Sequence, residues 1–224
     1  TPENVINYFF LVAEEVREIM AILGFTKFDD LIGRSDLLCK QGAIDHWKAK
    51  DIDLTKILWK PKTENQKENF NSSCQNHDIK NVLDLKVIQE AKDVIKGIKR
   101  STQINKLIKN TDRSFGAMLS GEIAQKYGHK GLNEDSIIIN LSGTAGQSFG
   151  TFLAKGVTLN LNGEANDYVG KGLSGGRIII KPFSNSKIDS HKNIIIGNTV
   201  LYGAIAGECF FSGVAGERFA VRNS

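Results

Sequence analysis

The sequence predicts a mainly β protein: a right-handed parallel β-helix, a solenoid of stacked short strands, follows an α-helical N-terminal segment. Short β-branched runs recur with centres at Ile139, Leu159 and Ile179, a step of 20 residues. One strand per repeat of this length is typical of solenoids. Of 22 glycines, 18 lie at or after Gly116, between and around these runs, where they suit tight corners.

The runs predicted as strands are apolar on consecutive positions, as strands buried on both faces are. They cover residues 137–141, 157–161, 178–180, 194–196 and 199–202. The glycines predicted as corners of the coil are Gly146, Gly150, Gly170, Gly172, Gly175, Gly176, Gly203 and Gly207. A β-branched residue is strongly disfavoured where φ is positive, so the replacement Gly172→Val is expected to destabilise the solenoid.

A long helix is predicted at the N-terminus. Thr1 is a good N-cap, Pro2 suits the first helical position, and apolar residues continue at helical spacing up to Gly24. The apolar face is wide because Tyr8 and the residues at 10 and 11 extend it. Such a helix is normally buried against a larger body.

The middle of the chain carries weaker signals. Residues 60–79 are polar and predict a loop or linker. Residues 84–99 have the apolar periodicity of an amphipathic helix, and residues 103–108 alternate as a strand does. A further helix is predicted over residues 117–127, ended by Gly128, and the glycine content rises near residues 100–115.

Composition narrows the function classes. The formal net charge is +4 with no basic arm, which disfavours nucleic-acid binding, and no apolar run approaches the ~20 residues of a membrane helix. The first residues lack the basic and apolar regions of a signal peptide. Three scattered cysteines, Cys39, Cys74 and Cys209, indicate a reducing compartment, and both chain ends are expected to be those of a fragment.

The loop from Gly170 to Gly176 invites a phosphate-binding interpretation. A phosphate loop requires GxxxxGK[ST] between a strand and a helix, whereas here Lys171 follows the first glycine and a strand is expected next. We therefore favour a corner of the coil over a nucleotide site.

Other candidate groups are explained more simply by structure. Glu164 and Asp167 beside Tyr168 could be an acid–base pair, but such residues commonly satisfy backbone groups at turns. Zinc requires four ligands, and no second Cys/His pair accompanies Cys74 and His77. His46 is expected to pack or bond at the surface, and Cys209 to be a small buried apolar residue. No catalytic, cofactor-binding or metal-binding residue is assigned.

Several long motifs carry a family resemblance. Four motifs resemble the glycine-repeat domain at the C-terminal end of the glutamate synthase large subunit: GTAGQSFG, GEANDYVGKGLSGG, GNTVLYGA and GVAGERFAVRNS. Three further stretches resemble the end of the synthase domain of that subunit: TPENVINYFFLVAEEVREIMAILGF, DDLIGRSDLL and HWKAKDIDL. The resemblance implies three segments: the helical end of an FMN-carrying TIM-type barrel (1–60), a linker with one helix (61–102) and a truncated β-helix domain (103–224).

The resemblance also implies a function for the whole enzyme. Ammonia released from L-glutamine by a glutaminase domain would reach the barrel through a tunnel and combine there with 2-oxoglutarate, and reduced FMN would complete L-glutamate. A [3Fe-4S] cluster would pass electrons to the FMN from ferredoxin or from an NAD(P)H-oxidising small subunit that can carry FAD. Three motifs resemble the NAD(P)H-type enzymes more than the ferredoxin type: GRSDLL, AIDHWKAKDIDL and CQNHDIKNVLD.

In this family the repeat domain is architectural, and it holds the glutaminase and synthase domains together. The fragment alone is expected to bind no cofactor and to be inactive. The expected location of the protein is the cytoplasm or the plastid stroma. The alternative is a stand-alone, non-catalytic β-solenoid that serves as a scaffold or binding domain.

Overall fold

A computed structural model describes residues 2–38, 46–49, 51–60, 71 and 73–223. Two compact units are present, Thr1–His77 and Asp78–Ser224. No helix among the described residues is long and apolar enough to cross a membrane. Short 3-10 turns occur at Phe28–Asp30, Ser35–Leu37, Ile79–Asn81, Gly128–Lys130 and Ser190–Lys192.

The first unit contains the predicted N-terminal helix. Helix α1 spans Pro2–Ile22 and ends before Gly24, which adopts a φ of 78°, as helix C-caps commonly do. Thr1, the predicted N-cap, lies outside the described residues. Within this unit α1 buries only Met20, while the side chains of Phe10 and Leu11 are 72% and 71% exposed.

The second unit begins with the two predicted helices and the first strand. Helix α2 spans Leu83–Ile95, strand β1 spans Thr102–Ile108, and helix α3 spans Ala117–Tyr127. All three agree with the sequence within a few residues, because each has an uninterrupted apolar period and α3 ends at a glycine with positive φ, Gly128.

Strands β1 to β5 form one five-stranded parallel sheet in which spatial order equals sequence order. The later strands are β2 (Ile137–Ala145), β3 (Val157–Ala165), β4 (Ser174–Lys181) and β5 (Ala206–Phe211). The predicted step is visible in the register, since Ile137 pairs with Val157. The mainly β prediction is thus confirmed as a parallel sheet with flanking helices.

Two strand predictions are wrong. Residues 194–196 and 199–202 form no strand; only Val200 makes isolated bridges, to Val169 and to Phe219. The reason is the backbone of Leu201, whose φ of 58° interrupts the extended conformation. Isoleucines 195 and 196 are nevertheless buried. The strand of this repeat is instead β5.

Three of the predicted corners are also wrong. Gly175 and Gly176 lie inside β4, and Gly207 lies inside β5. These glycines permit close approach between strands, since a Cβ on Gly207 would lie 2.5 Å from the carbonyl oxygen of Gly176. The β4–β5 register also shifts between Ser174 and Arg177. Gly146, Gly150, Gly170, Gly172 and Gly203 lie outside the strands.

The core lies between the inner face of the sheet, α2 and α3. Its largest fully buried side chains include Leu119 and Ile123 of α3 together with Ile139 of β2 and Leu159 of β3. Phe115 stacks on the buried Phe149, with ring centroids 6.0 Å apart. Apolar side chains from consecutive repeats therefore form one continuous core, as in stacked repeats generally.

Candidate functional site

The turns that follow the strands are hydrogen-bonded to neighbouring repeats through their backbones. The N–H groups of Ser148 and Phe152 donate to the carbonyls of Asp167 and Lys171, at 2.8 Å in both cases. In the next repeat the N–H of Gly172 donates to Tyr202 O at 2.9 Å. These bonds extend the cross-strand order of the sheet into its turns and make the stack stiff.

Backbone hydrogen bonds of the same kind disfavour a phosphate-binding site at Gly170–Gly176. A phosphate loop needs free backbone N–H groups that converge on the anion. Here the N–H of Gly170 donates to Phe149 O at 2.9 Å, and the N–H of Gly176 donates to Leu153 O at 3.1 Å. The loop therefore does not fit the phosphate of a nucleotide or of FMN.

Asp167 has the structural role predicted for it. Its Oδ1 accepts hydrogen bonds from the backbone N–H groups of Asn198, at 2.6 Å, and Thr199, at 3.2 Å. Glu164 is exposed, and its Oε1 accepts a hydrogen bond from the Thr144 hydroxyl at 3.3 Å. The two carboxylates are thus occupied separately, one with a corner and the other with the neighbouring strand.

Arg177 is the centre of a polar cluster on the outer face of the sheet, which we call the arginine cluster: Glu134, Asp135, Thr158, Arg177 and Glu208. The guanidinium donates to Asp135 at 3.0 Å, to Glu208 at 2.7 Å and to Glu134. Thr158 donates to Asp135 at 2.6 Å. A cavity of about 180 Å³ lies beside it. The cluster therefore ties β3, β4, β5 and the segment before β2 together.

The electrostatics of the cluster follow from this geometry. The hydrogen bond from Thr158 and the nearby guanidinium lower the pKa of Asp135, while Glu208 and Glu134 raise the pKa of Arg177. Because the folded state lowers the pKa of Asp135, its contribution to stability is present above the ordinary value of 3.8 and is lost as pH falls through the folded value.

We expect Arg177→Gln to lower the stability of the second unit by about 1 kcal/mol at neutral pH, because three carboxylates then lose their shared cation across a partly exposed site. The difference from the wild type should shrink as pH falls through the lowered pKa of Asp135 in the folded state, because its protonated carboxyl no longer attracts the guanidinium. Urea unfolding at neutral and acid pH measures this. A difference that grows towards acid pH would contradict the assignment.

A ladder of asparagines runs across the sheet near the arginine cluster. Asn160 Nδ2 donates to Asn140 Oδ1, and Asn140 Nδ2 donates to Asn105 Oδ1, both at 2.9 Å. The three residues occupy the same register position on β3, β2 and β1. Such amide ladders fix the register of stacked strands.

The sequence did not predict the role of Asp84 in the first turn of α2. This carboxylate is only 4% exposed and accepts hydrogen bonds from the N–H groups of Gly116, at 3.0 Å, and Met118, at 3.1 Å, with a longer one from Leu119. It therefore caps α3 from another helix. Burial is the largest influence on its pKa, which it raises, and the backbone donors oppose it.

Glycine 172 is a corner, as predicted, with a φ of 60°. A Cβ at this position would lie 2.5 Å from a ring carbon of Phe152. We expect Gly172→Val to destabilise the unit by at least ~2 kcal/mol, from backbone strain and the clash. The matched control is Gly203→Val, where φ is 66° and a Cβ meets nothing within 4 Å. Equal melting temperatures for Gly172→Val and wild type would overturn the assignment.

The remaining candidates carry no arrangement for catalysis. His46 Nδ1 accepts a hydrogen bond from the Lys48 N–H at 3.3 Å, and Cys74 is exposed. Cys209 is half-buried rather than fully buried, and burial raises the pKa of its thiol to about 12, which disfavours a thiolate. Within the described part of the chain, no three metal-ligating side chains come together. Cys39 lies outside the described residues.

Comparison with known proteins shows that this chain is similar to glutamate synthases. It is 47% identical over 228 residues to the large chain of the NADPH glutamate synthase of Bacillus subtilis, and 50% identical over 225 residues to the NADH glutamate synthase of Schizosaccharomyces pombe. It is 44% identical to ferredoxin-dependent glutamate synthase 2 of Synechocystis. Each match covers the whole chain, but the chain spans only 10% to 14% of these relatives.

The family model for the GXGXG motif matches residues 84–224, from Asp84 at the start of α2 through all five strands. That range contains the corners, the arginine cluster and the asparagine ladder. The chain therefore belongs to the GXGXG motif family and is similar along its whole length to glutamate synthase large chains.

Proposed function

We propose that this chain is an architectural segment of a glutamate synthase, an oxidoreductase that makes L-glutamate from L-glutamine and 2-oxoglutarate. The observation that carries the proposal is the continuous register of the second unit: each strand pairs with the next in the chain, and the corners bond from repeat to repeat. Such a stack is stiff, and stiffness is what a spacer between catalytic domains requires. The similarity to three kinds of glutamate synthase supports the assignment.

The finer fold we propose is a right-handed parallel β-helix over residues 103–224. The 20-residue register between β2 and β3 supports it, as do the bridges of Val200 to the corners of the adjacent repeats. Residues 61–102 would then be the linker with its helix α2, although α2 and Asp84 also pack with the repeat unit.

We assign residues 1–60 to the end of a TIM-type FMN barrel. Helix α1 supports this, because Tyr8, Phe9, Phe10 and Leu11 are consecutive, exposed and apolar. At 100° per residue they cover every side of one turn of the helix, and so wide an apolar surface is normally enclosed by other parts of a protein. The remaining domains of a longer polypeptide would enclose it.

The cofactors of the whole enzyme would be FMN and a [3Fe-4S] cluster, and a partner subunit would carry FAD where NAD(P)H is the donor. Among the described residues of this chain, none form a site that fits either group. A cluster needs converging thiolates, whereas the described cysteines are Cys74, at the surface, and Cys209, whose thiol pKa is raised. The glycine loop has its N–H groups engaged. We therefore derive no chemical step in this chain.

The electron donor we propose is NAD(P)H, delivered through a small subunit or domain, rather than ferredoxin. The relatives named as NADPH or NADH enzymes are 44% to 50% identical, and those from Bacillus subtilis and two yeasts are 46% to 50% identical. Those named ferredoxin-dependent are 44% to 45% identical. The sparse, scattered cysteines favour a reducing compartment, the cytoplasm or the plastid stroma.

The test uses the purified 224-residue chain. We expect no flavin or iron–sulfur absorbance and no glutamine- and 2-oxoglutarate-dependent oxidation of NADH, NADPH or reduced ferredoxin. Circular dichroism should indicate β structure. Bound flavin or measurable turnover would contradict a purely architectural role. A chain that folds and does not associate with other copies through α1 would favour the alternative, a stand-alone scaffold.

A further inference from the structure

The groove between α2 and α3 is a basic surface that the proposed architecture does not use. It has a volume of about 570 Å³ and is lined by Ile88, Gln89, Lys92, Ile95, Lys96, Glu122, Gln125 and Lys126. We call it the lysine groove. Three ammonium groups and one carboxylate face it, so it is net positive.

The lysines of the groove are not neutralised within the described part of the chain. No carboxylate there lies within 4.0 Å of the ammonium groups of Lys92, Lys96 or Lys126. By contrast, neighbouring Lys99 and Lys106 are paired, with Asp93 and Glu90. Lys126 lies 5.4 Å from the centroid of the Tyr127 ring.

The walls of the groove are rigid. The Tyr127 hydroxyl donates to Ile95 O at 2.9 Å, which joins the last turns of the two helices. Asp84 joins the start of α2 to the start of α3. Lys92 lies in the last turn of α2, Lys96 follows the end of that helix four residues later, and Lys126 belongs to α3. The cations are therefore presented on a preorganised frame.

We propose that the lysine groove docks an acidic, amphipathic protein segment. Charge complementarity gives the sign of the partner, since carboxylates would meet three lysines that lack them. The apolar floor, half-buried Ile88 and buried Ile95, gives the amphipathic character. The amides of Gln89 and Gln125 can both donate and accept at the rim. A groove between two helices suits a helix laid along it.

The test uses the 224-residue chain and a labelled helical peptide of about 18 residues, with leucines on one face and glutamates beside them. Fluorescence anisotropy should show saturable binding that weakens as NaCl rises from about 0.05 to about 0.5 M. A peptide with glutamine in place of each glutamate is the matched control and should bind at least about tenfold more weakly.

The double variant Lys92→Glu and Lys96→Glu should weaken binding of the acidic peptide by at least about tenfold. Lys187→Glu, a single charge reversal on an exposed loop residue outside the groove, should leave it within about twofold. Circular dichroism confirms that the variants are folded. The proposal is overturned if the acidic and neutral peptides bind with the same affinity, or if Lys187→Glu weakens binding as much as the double variant does. It is also overturned if the double variant changes only the stability of the chain, because lysines that merely complement the C-termini of helices would have that effect.

Discussion

Replacing Gly163 by alanine is expected to destabilise the second unit by at least ~3 kcal/mol, enough to lower its melting temperature by about 10 °C or to prevent folding. Gly163 has a φ of 147°, and a Cβ there would lie 1.9 Å from the carbonyl oxygen of Gly143. That oxygen belongs to the backbone of β2, so no side chain can move to relieve the clash. The repeat spacing itself would have to open.

Gly143 has the same role one repeat earlier, since its Cβ would lie 1.9 Å from the carbonyl oxygen of Ile108. Ile108, Gly143 and Gly163 are register partners across β1, β2 and β3. The matched control is Gly121→Ala in α3, where a Cβ meets nothing within 4 Å. It should stabilise by ~0.5–1 kcal/mol through helix propensity. Thermal unfolding that shows similar stability for both variants would refute the glycine column.

Replacing Asp84 by alanine is expected to cost ~2–4 kcal/mol, because the buried N–H groups of Gly116, Met118 and Leu119 would lose their acceptor. Asp84→Asn keeps one side-chain oxygen and should cost less. Both are compared with the wild type by urea unfolding. An alanine variant as stable as the wild type would show that water replaces the carboxylate at no cost.

The pH dependence separates the charge of Asp84 from its shape. Burial raises the folded pKa above the ordinary value of 3.8, so the folded state holds the proton more tightly. Stability from this group is full below 3.8 and declines as pH rises through the folded pKa. Asp84→Asn cannot titrate, so the wild type should lose stability relative to this variant over that range. A gain of the wild type relative to Asp84→Asn over that range would contradict the raised pKa.

The parts of the fold that the sequence predicted are those with local or strictly periodic signals. Helix α3 ends at Gly128 as predicted, and β2 and β3 follow the 20-residue step. The prediction failed where the repeat is interrupted. Residues 182–205 lengthen the step to 31 residues between Arg177 and Glu208, so the apolar residues near 195 and 200 were taken for strands and β5 was missed.

The polar contacts were largely beyond sequence reasoning, because they join residues that only the stack brings together. Arg177 and Asp135 are 42 positions apart, and Asp84 and Gly116 are 32 apart. An acid at the start of a helix is normally assigned to that helix, as Asp84 would be to α2. The asparagine ladder could have been predicted from the spacing of its residues. Asn140 and Asn160 are one repeat apart, and Asn105 occupies the same register position in the preceding strand.

The most direct test of the architectural role is the coupling ratio of a full-length glutamate synthase large chain that carries this segment. Glutamine hydrolysed and glutamate formed are measured together in the wild type, in Arg177→Gln and in the Lys187→Glu control, all with full flavin content. Loosened stacking should let ammonia escape, so Arg177→Gln should hydrolyse more glutamine per glutamate formed, while the control matches the wild type. An unchanged ratio in Arg177→Gln, despite its measured loss of stability, would contradict the claim that the stacked repeats hold the catalytic domains in register.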